Sequence, residues 1–125
     1  MDQDFVPYQE SVELKELSFD ELCLASYETE TNWHITHKPW RNSEDITEIA
    51  SPLYQQAFRW FRKVHKLDGQ ITSWTKGDEF EYYYSAEPLG KPSIYRCDKY
   101  TGKSYEDAEL ACLRKLIQIV KEKSK

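Results

Sequence analysis

The segment beginning at Ser51-Pro52 constrains this chain more than any other. Serine suits a helix cap, and proline suits the first helical position, where its missing N–H costs nothing. From there Leu53, Ala57, Trp60, Val64 and Leu67 recur at helical spacing, and Tyr54, Phe58 and Phe61 widen the stripe. The spacing predicts a helix stopped by Asp68-Gly69, with one broad aromatic face that has to be buried. The opposite side carries Arg59, Arg62, Lys63 and Lys66, a strip that is either simply solvated or able to meet phosphate or acidic groups.

A helix of this kind needs a partner layer, and three β-like runs follow it. These are "QITSW", "FEYYYSAE" and "SIYRCDKY", separated by the Gly- and Pro-bearing turns "TKGDE" and "PLGKP". An antiparallel meander is the natural inference. Alternation along "EFEYYYSAE" puts Phe80, Tyr82, Tyr84 and Ala86 on the face expected to be core, and Glu81, Tyr83, Ser85 and Glu87 on the other. Tyr83 is then placed to join Trp74 or Tyr95 in an exposed aromatic patch, unless helices cover both faces and all these rings are core. Ser104 caps a last helix, with Asp107 in the position of a capping-box acid. Ala108, Ala111, Cys112, Leu116, Ile119 and Val120 form its buried stripe, and Lys121, Lys123 and Lys125 suit the negative end of its dipole.

Before Ser51 the signals are weaker. Pro7 opens a short helix with Tyr8, Val12 and Leu14 to Leu17 on one side and Glu10, Glu13 and Glu16 on the other. "LCLASYE" and "NWHITH" read as paired strands, and "KPWRNSEDITEIA" as a polar connection. At 125 residues the chain has the size of one domain. The expectation is one α+β domain spanning 1–125, mainly antiparallel sheet with about three helices in the order α-β-β-α-β-β-β-α. Residues 1–50 hold 12 acidic and 3 basic side chains, a net of 3 − 12 = −9, and residues 51–125 hold 10 and 14, a net of +4. Either the acidic portion packs on the basic one, or one of them meets a partner of opposite charge.

Three cysteines at wide spacing, with no apolar leader ahead of them, point to reduced thiols in a cytoplasmic protein. No run approaches the roughly 18 apolar residues that span a bilayer, so no membrane is expected.

Gly102-Lys103-Ser104 ends like a phosphate-binding loop, but such a loop needs a glycine five positions before Gly102, and Cys97 stands there. Glu106, Asp107 and Glu109 crowd the following helix and compete with any anion for its free amides. The α-β-β-β-α order is also that of double-stranded-RNA-binding domains, whose last helix begins with lysines that grip phosphate. This helix begins with acids, so a nucleic-acid surface would have to move to Arg59, Arg62, Lys63 and Lys66. His34 and His37 point to opposite faces of a strand, and His65 sits on the flank of the aromatic helix, so no metal set assembles from the histidines. No nucleophile signature surrounds any serine or cysteine. The residues call for no catalytic, cofactor or metal site.

"FVPYQESVELKELSFDELC" from Phe5, "SPLYQQAFRWFRKVHKL" from Ser51 and "SYEDAELACLRKLI" from Ser104 together resemble a group of small uncharacterised proteins encoded by phages and other mobile elements of gut Bacteroidetes. The chain departs from that pattern at Ser18 and Leu22, where glycine and proline are usual. The resemblance implies an intracellular accessory protein and assigns no activity. The expectation is a non-enzymatic module that binds a protein partner, with nucleic acid as the alternative and a homodimer compatible with either. Its candidate surface comprises Arg59, Arg62, Lys63, Lys66, Trp40, Trp74 and Tyr83, and salt-tolerant binding through Trp40 and Trp74 would mark the protein partner.

Overall fold

The computed structural model describes residues 2–44, 47–90, 99–102 and 104–123. The fold is α+β, and every strand pair among these residues is antiparallel. The chain divides into two compact units, Met1–Ala57 and Phe58–Lys125.

In the first unit α1 (Tyr8–Glu16) precedes a sheet of order β2-β1-β3, formed by β1 (Cys23–Thr29), β2 (Asn32–Trp40) and β3 (Ile49–Ala50). The strands pair Ser26 with His34 on one side and Ser26 with Ala50 on the other. Two features differ from the sequence expectation. The stretch read as a polar connection supplies the end of β2, a 3-10 turn at Asn42–Glu44 and β3. Pro39 is tolerated because β2 is an outer strand, where a missing N–H breaks no ladder. On α1, Glu10 and Ser11 are buried beside Leu14, because Ser11 Oγ donates to the Val6 carbonyl at 3.1 Å and so belongs to the inner side.

Helix α1 ends on Ser18, whose φ of 72° is left-handed. The Phe19 amide donates to the Leu14 carbonyl and the Ser18 amide to the Lys15 carbonyl, both at 3.0 Å, which is the paired closure that normally selects glycine. The turn therefore keeps the geometry of the glycine expected at this position while carrying a serine.

Helix α2 (Tyr54–Trp60) is followed directly by a π-helical turn, Phe61–His65. Ser51 does not cap it. Its buried hydroxyl donates to the Val6 carbonyl at 2.9 Å and accepts from the Trp33 indole at 3.3 Å. The wider π turn takes an extra residue per turn, so the stripe drifts: Trp60 and Phe61 are buried, but Val64 is 52% exposed. The helix ends at Lys66 in the left-handed region, φ 57°, two residues before the expected stop, and Asp68-Gly69 lie within β4.

The second unit packs α3 (Tyr105–Lys123) on a sheet of order β4-β5-β6, made of β4 (Leu67–Lys76), β5 (Glu79–Pro88) and β6 (Lys99–Gly102). The α2-β4-β5-β6-α3 succession is the one read from the sequence. Most of "SIYRCDKY", with Tyr95 and Cys97, lies outside the described residues, as do Lys103 and Lys125. The buried side of α3 holds Ala108, Glu109, Cys112, Leu113, Leu116, Ile117 and Val120, while Ala111 and Ile119 are only half-buried. Burying each large aliphatic among them is worth about 1.5–3 kcal/mol. Gly69 on β4 makes room for that helix: a Cβ there would lie 2.9 Å from both Cys112 Sγ and Leu116 Cδ1. Ser104 caps α3 as expected, accepting from the Asp107 amide at 3.3 Å, and its hydroxyl donates to the Glu106 carboxylate at 3.0 Å.

Candidate functional site

The β4–β5 hairpin carries the most exposed aromatic surface of the described residues. Its strands are rich in β-branched and aromatic residues, which favour extended backbone. Gly77 closes the two-residue turn with a φ of 64°, as turns that match strand twist require at their first central position. Pairing runs without a break from Leu67 with Pro88 to Lys76 with Glu79.

Near α3 the hairpin is packed. Tyr82 meets Tyr105 edge-on with ring centroids 5.8 Å apart, on the face the alternation predicts to be core. Further out it is bare on both faces: every residue from Ser73 to Phe80 is exposed. Trp74 is 60% exposed and Phe80, expected in the core, is 55% exposed. Phe80 lies one pair beyond the Trp74–Glu81 pair, so the two rings flank opposite sides of this outer arm. On the face of Trp74, Tyr83 pairs with Tyr100, ring centroids 5.4 Å apart, and Tyr100 is 54% exposed. Of the anticipated patch, Trp74 and Tyr83 thus share a face, and Tyr100 joins them. The arm is acidic, with Lys76 against Asp78, Glu79 and Glu81.

The other candidate residues are distributed differently. Arg59 is exposed on α2, and Arg62, Lys63 and Lys66 follow on or just after the π turn, where Lys66 Nζ donates to the Lys63 carbonyl at 3.1 Å. Because Lys66 has left the helix, the four cations do not form the straight helical strip that their spacing predicts. Trp40 is half-buried at the end of β2, opposite Cys23, and its buried indole N–H has no acceptor among the described residues. His65 packs against Trp60, centroids 4.8 Å apart, and burial, helped by the charge of Lys123, lowers its pKa. Burial, reinforced by Glu21 at Cys23 and by Asp68 at Cys112, pushes both thiols up to about 12. At neutral pH they are protonated and poor nucleophiles.

A second cluster, which the histidine spacing did not reveal, lies in the first unit. One potential ligand atom from each of Glu28, His34 and Glu48 lies within 4.8 Å of the others. The strand register explains it. Ser26 faces His34 on β2, and the β1–β3 pairing of Ser26 with Ala50 and Tyr27 with Ile49 brings Glu48 opposite Glu28. Ser26 O–H donates to Glu48 Oε2 at 3.0 Å and its oxygen lies 3.3 Å from His34 Nε2. The side chain of His37 lies outside what the structure describes.

No protein-family model, no curated protein and no solved structure matches this chain. Among the described residues no helix is long and apolar enough to cross a membrane.

Proposed function

We propose that this chain is a non-enzymatic intracellular interaction module, an accessory protein of the mobile-element kind its sequence resembles, and that it binds a protein partner through the outer β4–β5 arm. The observation that carries this reading is the run Ser73–Phe80, exposed throughout and bearing Trp74 and Phe80 on its two faces. Large aromatics are the usual anchors of protein interfaces because they bury much area for little lost rotamer freedom. The partner presents arginine or lysine. Glu81 stands directly opposite Trp74, and a guanidinium on an indole face with a carboxylate beside it gains from both. The same acidic surroundings repel a phosphate backbone, so the arm favours protein over nucleic acid.

The test compares proteins captured from host lysate by the native chain, by a Trp74→Ser/Phe80→Ser variant and by an Arg62→Glu/Lys63→Glu variant. A partner held by the native chain and by the second variant, but weakened roughly thirtyfold by the first, is expected, because losing an anchor costs about 2 kcal/mol or more. The arm variant should fold within about 0.5 kcal/mol of the native chain, since it changes only exposed residues. Capture that is indifferent to Trp74 and Phe80 would overturn the reading. So would nucleic-acid binding that falls steeply with salt and is lost in the charge-reversed variant.

A further inference from the structure

Independently of the β4–β5 arm, we infer that Glu28, His34 and Glu48 form a binding site for a divalent transition-metal cation, of which Zn2+ and Mn2+ are the best fits. Glu28 and His34 lie on the paired strands β1 and β2, and Glu48 directly precedes β3, whose pairing with β1 carries it toward Glu28. Two carboxylates this close repel one another. A cation shared between them removes that repulsion.

Each carboxylate is also oriented by a neutral donor. Asn32 Nδ2 donates to Glu28 Oε2 at 2.9 Å, and Ser26 O–H donates to Glu48 Oε2 at 3.0 Å. Each hydrogen bond takes one carboxylate oxygen and leaves the other available, as outer partners of metal ligands do. Lys15 Nζ donates to the backbone carbonyl of Glu48 at 2.8 Å, which fixes the start of β3 without occupying the carboxylate. The ligand set decides the class of ion. An imidazole nitrogen disfavours Mg2+ and Ca2+, which prefer all-oxygen shells, and the absence of thiolate from the triad disfavours Cu(I). One imidazole and two carboxylates suit Zn2+ or Mn2+, and three protein ligands leave a coordination position for water. The ion would tie Glu48, and with it β3, to the β1–β2 hairpin.

The experiment titrates the metal-free full chain with Zn2+ and, separately, with Mn2+ and Mg2+, following heat of binding and the unfolding midpoint. His34→Gln and Glu28→Gln are measured alongside. Expected are one ion per chain for Zn2+ or Mn2+, a rise in midpoint reversed by chelator, weak response to Mg2+, and a loss of at least about tenfold in affinity in both variants. Glu28 is exposed, so Glu28→Gln should fold normally and its affinity can be read even if His34→Gln unfolds. Affinity unchanged in Glu28→Gln, or no binding of Zn2+ or Mn2+ by the native chain, would overturn the assignment. The arm variant Trp74→Ser/Phe80→Ser should bind the ion as the native chain does, which separates this result from that of the proposed partner.

Discussion

Asn42 in the first unit and Leu116 in the second are both buried, and they stabilise their surroundings by different means. Asn42 Nδ2 donates to the Phe19 carbonyl and its Oδ1 accepts from the Ala50 amide, each at 2.8 Å, so one side chain serves two backbone groups from separate segments. Ser11 and Ser51 both donate to the Val6 carbonyl nearby. The first unit, with its short β3, makes up by side-chain bonding for ladder hydrogen bonds it does not have. Leu116 makes no such bond. With Leu113, Ile117 and Val120 it fills the space over the β4–β5–β6 sheet, and Gly69 is small because that space is full. One region depends on the direction of a few polar groups, and the other on volume.

The largest expected effect is in the second unit. Leu116→Ala should cost about 2–5 kcal/mol in denaturant unfolding, whereas Leu116→Met, which keeps the volume, should cost less than about 1.5 kcal/mol. Asn42→Ala comes next. It strands a carbonyl and an amide, each worth about 1–3 kcal/mol when buried without a partner, so a loss of about 2–4 kcal/mol is expected, with faster hydrogen exchange at Ala50. Asn42→Leu, which keeps the size but not the bonds, should fail to restore stability, and a rescue by leucine there would break the comparison. The smallest effect is a gain: Ser18→Gly relieves a left-handed residue and should raise stability by about 0.5–1 kcal/mol in thermal unfolding.

That contrast also explains what the sequence made legible. Helix α3, the β4–β5 hairpin and the cap at Ser104 follow from periodicity and turn chemistry, which are local. The burial of Ser51 and Asn42 follows from bonds between segments far apart in the chain, and polar residues carry no periodic signal for that. The π turn at Phe61–His65 hides for another reason: the stripe through Val64 and Leu67 is equally good as an α-helix, and only the extra residue per turn moves Val64 out. Among the candidate site residues, Trp74 and Tyr83 were reachable from strand alternation. Glu28 and Glu48 were not, because their meeting with His34 depends on the register of β3, a strand of only two residues that the polar sequence around it conceals.

Strand β4 has a consequence for how concentrated this protein can become. It runs ten residues at the border of its sheet, with β5 as its one partner among the described strands, and its outer residues Ser73–Lys76 are exposed to water. Water is a replaceable partner, and a second copy of the chain offers the same ladder in return. Lys76 is the one charged residue in its outer half. Edge-to-edge pairing is expected to grow with concentration, with the bare aromatics of the hairpin adding to the attraction. Association that rises with concentration is the behaviour expected of such an edge, and a bound partner that covered this border would lower it.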